Sequence, residues 1–248
     1  MPYKLRLDKL LSNQGYGTRS EARAALRGGR VTVNGETERD GARYVDPALD
    51  IIALDGERVD AAPAPAVMMN KPAGVVTSTD DRHNKVVIDL LPAIWRARGL
   101  KPVGRLDIDT TGLLLFTDDG DLAHRLITPK RKVGKLYRAV LDAPVTDEDI
   151  AVFEAGAPMR GYTAMPAKLE RDPSADAVAL VTVHEGRYHQ VKLMFASRGR
   201  SVLSLERLAI GPVRLDPALQ PGACRALAPD EESALRESCG AADRNAGR

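Results

Sequence analysis

The chain has 248 residues, 44% of them hydrophobic and 28% charged, which is enough apolar content for one large core plus a small module and argues against disorder throughout. No run approaches the ~18 apolar residues of a membrane helix, and the charged opening Met1 to Lys9 lacks an apolar export stretch, so a cytoplasmic protein without membrane association is expected. Two cysteines, Cys224 and Cys239, exclude a disulfide framework or a four-cysteine zinc site, and the net charge of +2 hides an uneven distribution.

Residues 1–30 carry seven Lys/Arg against two acids, whereas residues 31–66 carry three Arg against eight acids. Leu7-Asp8-Lys9-Leu10-Leu11 has helical apolar spacing and stops at Gly15-Tyr16-Gly17. Thr18 and Glu21 have the spacing of a capping box that opens a second helix, with Ala22, Ala25 and Leu26 as its apolar stripe and Gly28-Gly29 as its end. Arg19, Arg23, Arg27 and Arg30 recur every three or four residues and are expected on one face. Val31-Thr32-Val33 followed by Asn34-Gly35 predicts a hairpin, and Ile51 to Leu54 with the Asp55-Gly56 turn completes a small sheet.

Ala61 to Ala66 is a Pro/Ala linker of semi-rigid character. Beyond it the patterning predicts a larger α+β region with strands at 112–117, 136–141 and 177–183 and helices at 121–128 and 147–156. From about Asp230 the sequence turns small and polar, and residues 233–248 are expected to form a flexible tail after a short helix.

The densest stretch is Gly104-Arg105-Leu106-Asp107-Ile108-Asp109-Thr110-Thr111-Gly112-Leu113, ending in Thr117-Asp118-Asp119-Gly120. A calcium loop would use Asp107, Asp109, Thr111 and Asp118, but such a loop lies between helices and residues 112–117 pattern as a strand. A phosphohydrolase would use Asp107 and Asp109 with magnesium, but it needs a buried apolar strand before the first Asp, and Pro102-Val103-Gly104-Arg105-Leu106 is not one. His184 and His189 are five apart, one too many for a helical zinc pair.

Read whole, Gly-Arg-Leu-Asp-x-Asp-Thr-Thr-Gly-Leu resembles the central motif of the ribosomal small-subunit (RsuA) pseudouridine synthases. Asn70-Lys71-Pro72-Ala73-Gly74, Ser78-Thr79-Asp80-Asp81, Lys135-Leu136-Tyr137 and Glu185-Gly186-Arg187-Tyr188-His189-Gln190-Val191-Lys192 match the group's other motifs in order. The first 60 residues resemble the RNA-binding domain named after ribosomal small-subunit protein four. The resemblance implies an α+β protein with four parts: a small RNA-binding α/β module (1–60), the linker (61–66), a catalytic domain with a mixed, mostly antiparallel sheet (67–232), and the tail (233–248).

It further implies an isomerase that converts one rRNA uridine to pseudouridine, in 16S rRNA by the closest motif match. Two rival readings stay open: the same reaction on 23S rRNA, or a non-catalytic ribosome-assembly RNA binder. The reaction breaks the bond from ribose C1′ to uracil N1, turns the base and rejoins it through C5. No atom is gained or lost, so no cofactor or metal is expected; the partner is rRNA or a partly assembled subunit, and the protein a monomer.

By the same resemblance Asp107 is the essential carboxylate, acting by attack on the ribose or through a glycal-like intermediate. Arg105 fills the space of the extruded base, Tyr137 packs on the target uracil, Lys192 pairs with Asp107, and Leu205 closes the pocket. RNA contacts are expected from Lys9, Arg19, Arg23, Arg27, Arg30, Lys71, Arg187, His189 and Gln190, with Lys71 read as a phosphate contact or scaffold and His189 and Gln190 also as polar supports of the site. Leu193 and Ala209 stand where the group commonly carries basic residues, which suggests backbone contacts exchanged for packing near the pocket.

Overall fold

The computed structural model describes residues 4–47, 49–59, 66–173 and 175–245, with side chains as far as residue 240. Two units form: Met1–Ala64 together with Pro92–Leu100, and Pro65–Leu91 together with Lys101–Arg248. The expected linker, apart from Ala66, lies outside the described residues.

In the first unit a short ladder of β1 (Leu5–Arg6) leads into α1 (Leu7–Asn13), and α2 (Arg19–Arg27) follows. The capping box forms: the Thr18 hydroxyl accepts from Glu21 N at 3.3 Å, and the Glu21 carboxylate accepts from Thr18 N at 2.6 Å. β2 (Val31–Val33) turns through Asn34-Gly35 into β3 (Glu36–Thr37). Both turn residues have positive φ, the geometry that matches the twist of paired strands. After β4 (Tyr44–Val45), which pairs with β1, β5 (Ile52–Leu54) turns through Asp55-Gly56 into β6 (Glu57–Arg58). The sheet order β3-β2-β5-β6 covers both helices around Leu7, Leu10, Leu11, Leu26, Val31, Val33 and Ile52. The short helix α3 (Ala93–Ala97) clusters with this unit although it interrupts the second in sequence, which differs from the continuous domain expected over 67–232.

The second unit is built on one nine-stranded sheet. Its strands begin with β7 (Val67–Lys71), β8 (Lys101–Pro102) and β9 (Thr111–Thr117), then α4 (Gly120–Ile127) and β10 (Lys135–Leu141). α5 (Asp147–Ala155) precedes the hairpin β11 (Pro158–Met159) and β12 (Tyr162–Thr163), which pair apart from the main sheet. β13 (Lys168–Arg171), β14 (Val178–Val183), α6 (Gln190–Ala196), β15 (Val202–Ile210), β16 (Val213–Arg214), β17 (Cys224–Ala226) and α7 (Pro229–Asn245) complete it.

The strand order is β13-β14-β10-β15-β9-β7-β17, with β8 beside β9 and β16 beside β15. Every pairing is antiparallel except β15 with β9, which is parallel and rests on two residue pairs, Glu206 with Thr111 and Arg207 with Gly112. The sheet is therefore mixed and mostly antiparallel. Strand β9 is buried from Gly112 to Thr117, as a strand covered on both faces should be. One face packs α4 and α7 through Leu122, Leu126, Leu235 and Cys239, and Phe153 of α5 meets Phe195 of α6 with ring centroids 5.0 Å apart.

The helix α7 corrects the expected tail over residues 233–245; residues 246–248 lie outside the described residues. Small polar residues dominate that segment, but Leu235 and Cys239, one turn apart, are fully buried, and Arg236 donates to Asp119 at 2.7 Å. Among the described residues no helix is long and apolar enough to cross a membrane.

Gly112 makes the parallel junction possible. Its φ is +94°, and a methyl group there would collide with the Arg207 carbonyl oxygen and lie 2.9 Å from the Arg207 nitrogen. Gly112→Ala should therefore cost about 3 kcal/mol, read as a lowered denaturation midpoint with unchanged slope.

Candidate active site

The loop 104–110 is irregular, and its shape is fixed from behind. Lys71, at the end of β7 and fully buried, points its ammonium into the loop and donates to the carbonyls of Pro72 (3.0 Å), Asp107 (3.1 Å) and Thr110 (2.9 Å), with Ile108 O at 3.4 Å. Burial pushes the Lys71 ammonium down to about 8. The Thr77 hydroxyl donates to Leu106 O at 2.8 Å and accepts from Leu106 N at 3.2 Å, and Gly74 N donates to Ile108 O at 2.7 Å. With its carbonyls held inward, the loop turns the Asp107 side chain to an open cleft of about 430 Å³.

That cleft is lined by Arg105, Asp107, Tyr137, Arg187, His189 and Leu205, among others. Tyr137 lies on the buried face of β10 with Lys135, Ala139 and Leu141. Between β10 and β15 the register shifts, from Leu136 opposite Ala209 to Tyr137 opposite Arg207. This bulge sets the Arg207 guanidinium beside the tyrosine: Nη1 donates to the Tyr137 hydroxyl at 3.4 Å, and Nε donates to Leu113 O at 2.7 Å.

The turn carrying His189 is pinned by buried Glu185, which accepts from Met165 N (2.9 Å), Gln190 Nε2 (2.7 Å) and Arg187 Nε (3.3 Å). Gln190 Oε1 in turn accepts from Arg187 N at 3.1 Å. His189 sits in the left-handed region at φ +49° just before α6, with Nε2 3.4 Å from Asp107 Oδ1. From α6, Lys192 donates to both oxygens of Asp109 at 2.6 and 2.7 Å and lies 3.8 Å from Asp107 Oδ2. The Lys192 bond holds the Asp109 carboxyl below its ordinary range.

The arrangement sets the Asp107 carboxylate beside an aromatic ring and an apolar wall, with cations around it. A model of the RNA pseudouridylate synthases matches residues 65–197, and the S4 domain matches residues 5–51. The chain belongs to the RNA pseudouridylate synthase family. It is an RNA-modifying isomerase. This synthase is 44% identical over 237 residues to an uncharacterised RNA pseudouridine synthase of Bacillus subtilis, covering 94% of this chain and 99% of that one. It is 39% identical to ribosomal small subunit pseudouridine synthase A of Escherichia coli K12, over 92% of this chain and 98% of the other. The crystal structure of a pseudouridylate synthase superposes with a TM-score of 0.65 at 38% identity, covering 93% and 99% of the two chains.

Within the synthase the expected cleft residues Arg105, Asp107, Tyr137 and Leu205 come together. Arg105 is exposed and its side chain has no partner among the described residues, so it forms no structural ion pair there. Three expectations change. Lys192 binds Asp109 more closely than Asp107, because Asp109 is the more exposed carboxylate and both its oxygens can be reached without desolvating the pair. Lys71 and Gln190 are buried and bonded internally, which makes them scaffold rather than RNA contacts. Leu193 remains 46% exposed, so the missing charge there is not exchanged for packing, whereas Ala209 is buried in β15.

In the S4 unit the arginine face is also redistributed. Asp8, fully buried in α1, accepts from Arg6 Nη2 (2.9 Å), Arg23 Nε (2.8 Å) and Arg19 Nη2 (3.4 Å). Burial pushes its carboxyl up, but the Arg6 and Arg23 bonds outweigh that and hold it below the ordinary range. Arg30 lies beyond the end of α2 and pairs with Asp55. Lys9 is half-buried. Arg27 instead lines a second concavity with Arg6, Arg23, Arg39 and Asp40, and its carbonyl accepts from Arg39 Nη1 at 2.7 Å.

Sequence reasoning missed Asp109, Arg207, Thr77 and Asp8 as site-forming groups. Asp109 and Thr77 stood inside or beside quoted motifs; nothing local marked Arg207, whose partners are distant in sequence, or Asp8, which joins the neighbouring Arg6 to Arg19 and Arg23 of the next helix.

Lys135, buried beside Arg207, keeps one acceptor, Val133 O at 3.3 Å, and burial pushes it down to about 8. Its charge therefore opposes folding below pH ~8, and that cost fades as pH rises to the ordinary lysine value near 10.5, where the unfolded chain also loses the proton. Lys135→Met should be more stable than wild type by about 2 kcal/mol at pH 7, and thermal or urea denaturation should show the difference shrinking between pH 8 and 10.5.

Proposed function

We propose that this synthase isomerises one uridine of small-subunit 16S rRNA, with Asp107 acting on the ribose–base bond. The observation that carries the reading is the Asp107 carboxylate facing the cleft, within 3.4 Å of His189 and 3.8 Å of Lys192, between Tyr137 and Leu205. Uracil fits between the Tyr137 ring and the Leu205 side chain, which leaves C1′ over the carboxylate. Tyr137 holds the base flat while it turns, and Arg207 fixes the tyrosine hydroxyl from behind. Arg105, free in the cleft, supplies the cation that occupies the space left by the extruded nucleotide. Identity to small subunit pseudouridine synthase A over nearly the full chain supports 16S rRNA as the target.

The two units divide the work. The S4 unit binds backbone phosphates through the concavity of Arg6, Arg23, Arg27 and Arg39, where Asp8 keeps Arg6 and Arg23 in fixed geometry before RNA arrives. The second unit carries the reaction. The protein acts as a monomer in the cytoplasm on rRNA or a partly assembled subunit.

Rejoining the uracil through C5 expels the proton at that carbon, so tritium placed at C5 of uridine reports turnover. Wild type should release tritium from a 16S transcript or small-subunit assembly intermediate, and Asp107→Asn should release none. Release from 23S RNA alone would overturn the target, and release from no rRNA substrate would overturn the reading.

Phosphate binding predicts a salt signature. Arg27→Gln with Arg39→Gln should weaken rRNA binding most at low salt and make the slope of log K against log salt shallower by about two units, as measured by filter binding.

A further inference from the structure

Outside the pocket itself, the mouth of the cleft carries an aromatic surface that the reaction does not use. Tyr188 is 74% exposed, and its hydroxyl has no partner among the described residues. One face of its ring is covered by the His189 imidazole, with centroids 3.7 Å apart and planes 17° from parallel. The other face is left to solvent. An aromatic residue this exposed is normally free to swing, but here the turn is anchored on both sides. Glu185 and Gln190 tie down the backbone at Arg187, and the left-handed His189 starts α6. The tyrosine is thus held as the outer layer of a stack whose inner layer lies 3.4 Å from Asp107.

Two aliphatic side chains of the site's segments are exposed as well. Ile108 is 47% exposed and Leu193 46% exposed, and they belong to the two segments that the Lys192–Asp109 pair joins. An open ring face suits a flat, weakly hydrated group.

We propose that Tyr188 stacks an unpaired nucleobase of the substrate RNA that flanks the target nucleotide. The proposal rests on the reading that Asp107 receives the target uridine: with that base between Tyr137 and Leu205, the adjoining base emerges at the mouth and continues the His189–Tyr188 stack. Stacking asks only for a π face, so this contact adds affinity and holds the splayed strand without reading its sequence.

The test measures rRNA affinity of Asp107→Asn protein, which leaves the RNA unconverted, with and without Tyr188→Ala, alongside steady-state tritium release by the single Tyr188 variants. Loss of one base–aromatic stack should raise Kd and KM about tenfold. The salt slope should stay unchanged because no phosphate contact is lost, and Tyr188→Phe or Tyr188→Trp should recover most of the affinity. In a Trp95→Phe background, Tyr188→Trp fluorescence should fall when the RNA binds. Unchanged Kd in Tyr188→Ala would overturn the proposal. So would a fall in kcat with KM intact, which would mean that Tyr188 acts through His189 on Asp107. Failure of the underlying reading would show separately, as wild-type protein that releases no tritium from any rRNA substrate.

Discussion

A single buried ammonium organises the catalytic half of this protein. A charge without a carboxylate beside it is costly to bury, and Lys71 meets that cost by donating to the main-chain carbonyls of Pro72 and of the loop behind Asp107. Those bonds decide the direction of the loop. With carbonyl oxygens turned toward Nζ, the carboxylates of Asp107 and Asp109 face the other way, where α6 delivers Lys192 and His189. Thr77 and Gly74 brace the same loop at Leu106 and Ile108, so its position is set by the backbone and does not depend on the ion pairs in the cleft.

Two carboxylates sharing one lysine distribute its charge unevenly. Asp109 takes both short bonds and is held ionised by them, while Asp107 has the same cation at a longer distance. The His189 imidazole lies on its other oxygen. The oxygens of Asp107 are therefore less occupied by ion pairing than those of Asp109. Arg207 completes the arrangement from the far side: the bulge in β15 places it opposite Tyr137, and its burial makes the tyrosine part of a rigid wall.

Much of this was legible where the cause is local. The Thr18–Glu21 box, the Asn34-Gly35 and Asp55-Gly56 turns, and the strand expected over residues 136–141 follow from neighbours within a few positions, and they form as the pattern implies. The motif around Asp107 likewise located the cleft. Pairings across the fold were not legible. The spacing of Arg19, Arg23 and Arg27 shows a shared face but not the buried Asp8 that engages two of them. Likewise a lysine motif does not say which of two nearby aspartates it will bind. The length of the C-terminal helix, expected only as a short one, was hidden by its composition, since two buried residues one turn apart suffice to dock a helix that is otherwise small and polar.

The parallel seam between β9 and β15 has a consequence for how the enzyme comes into being during synthesis. Asp107 lies on the chain just before one side of the seam, Tyr137 lies opposite Arg207 on the other side, and the Arg207–Leu113 bond that closes it spans 94 residues. No emerging fragment that ends before β15 can hold carboxylate and tyrosine at working distance. Loop closure over such a length is slow compared with hairpin formation. The two units therefore take shape at different times: the first, apart from the α3 segment, is drawn from the first 64 residues, whereas the cleft waits for β15.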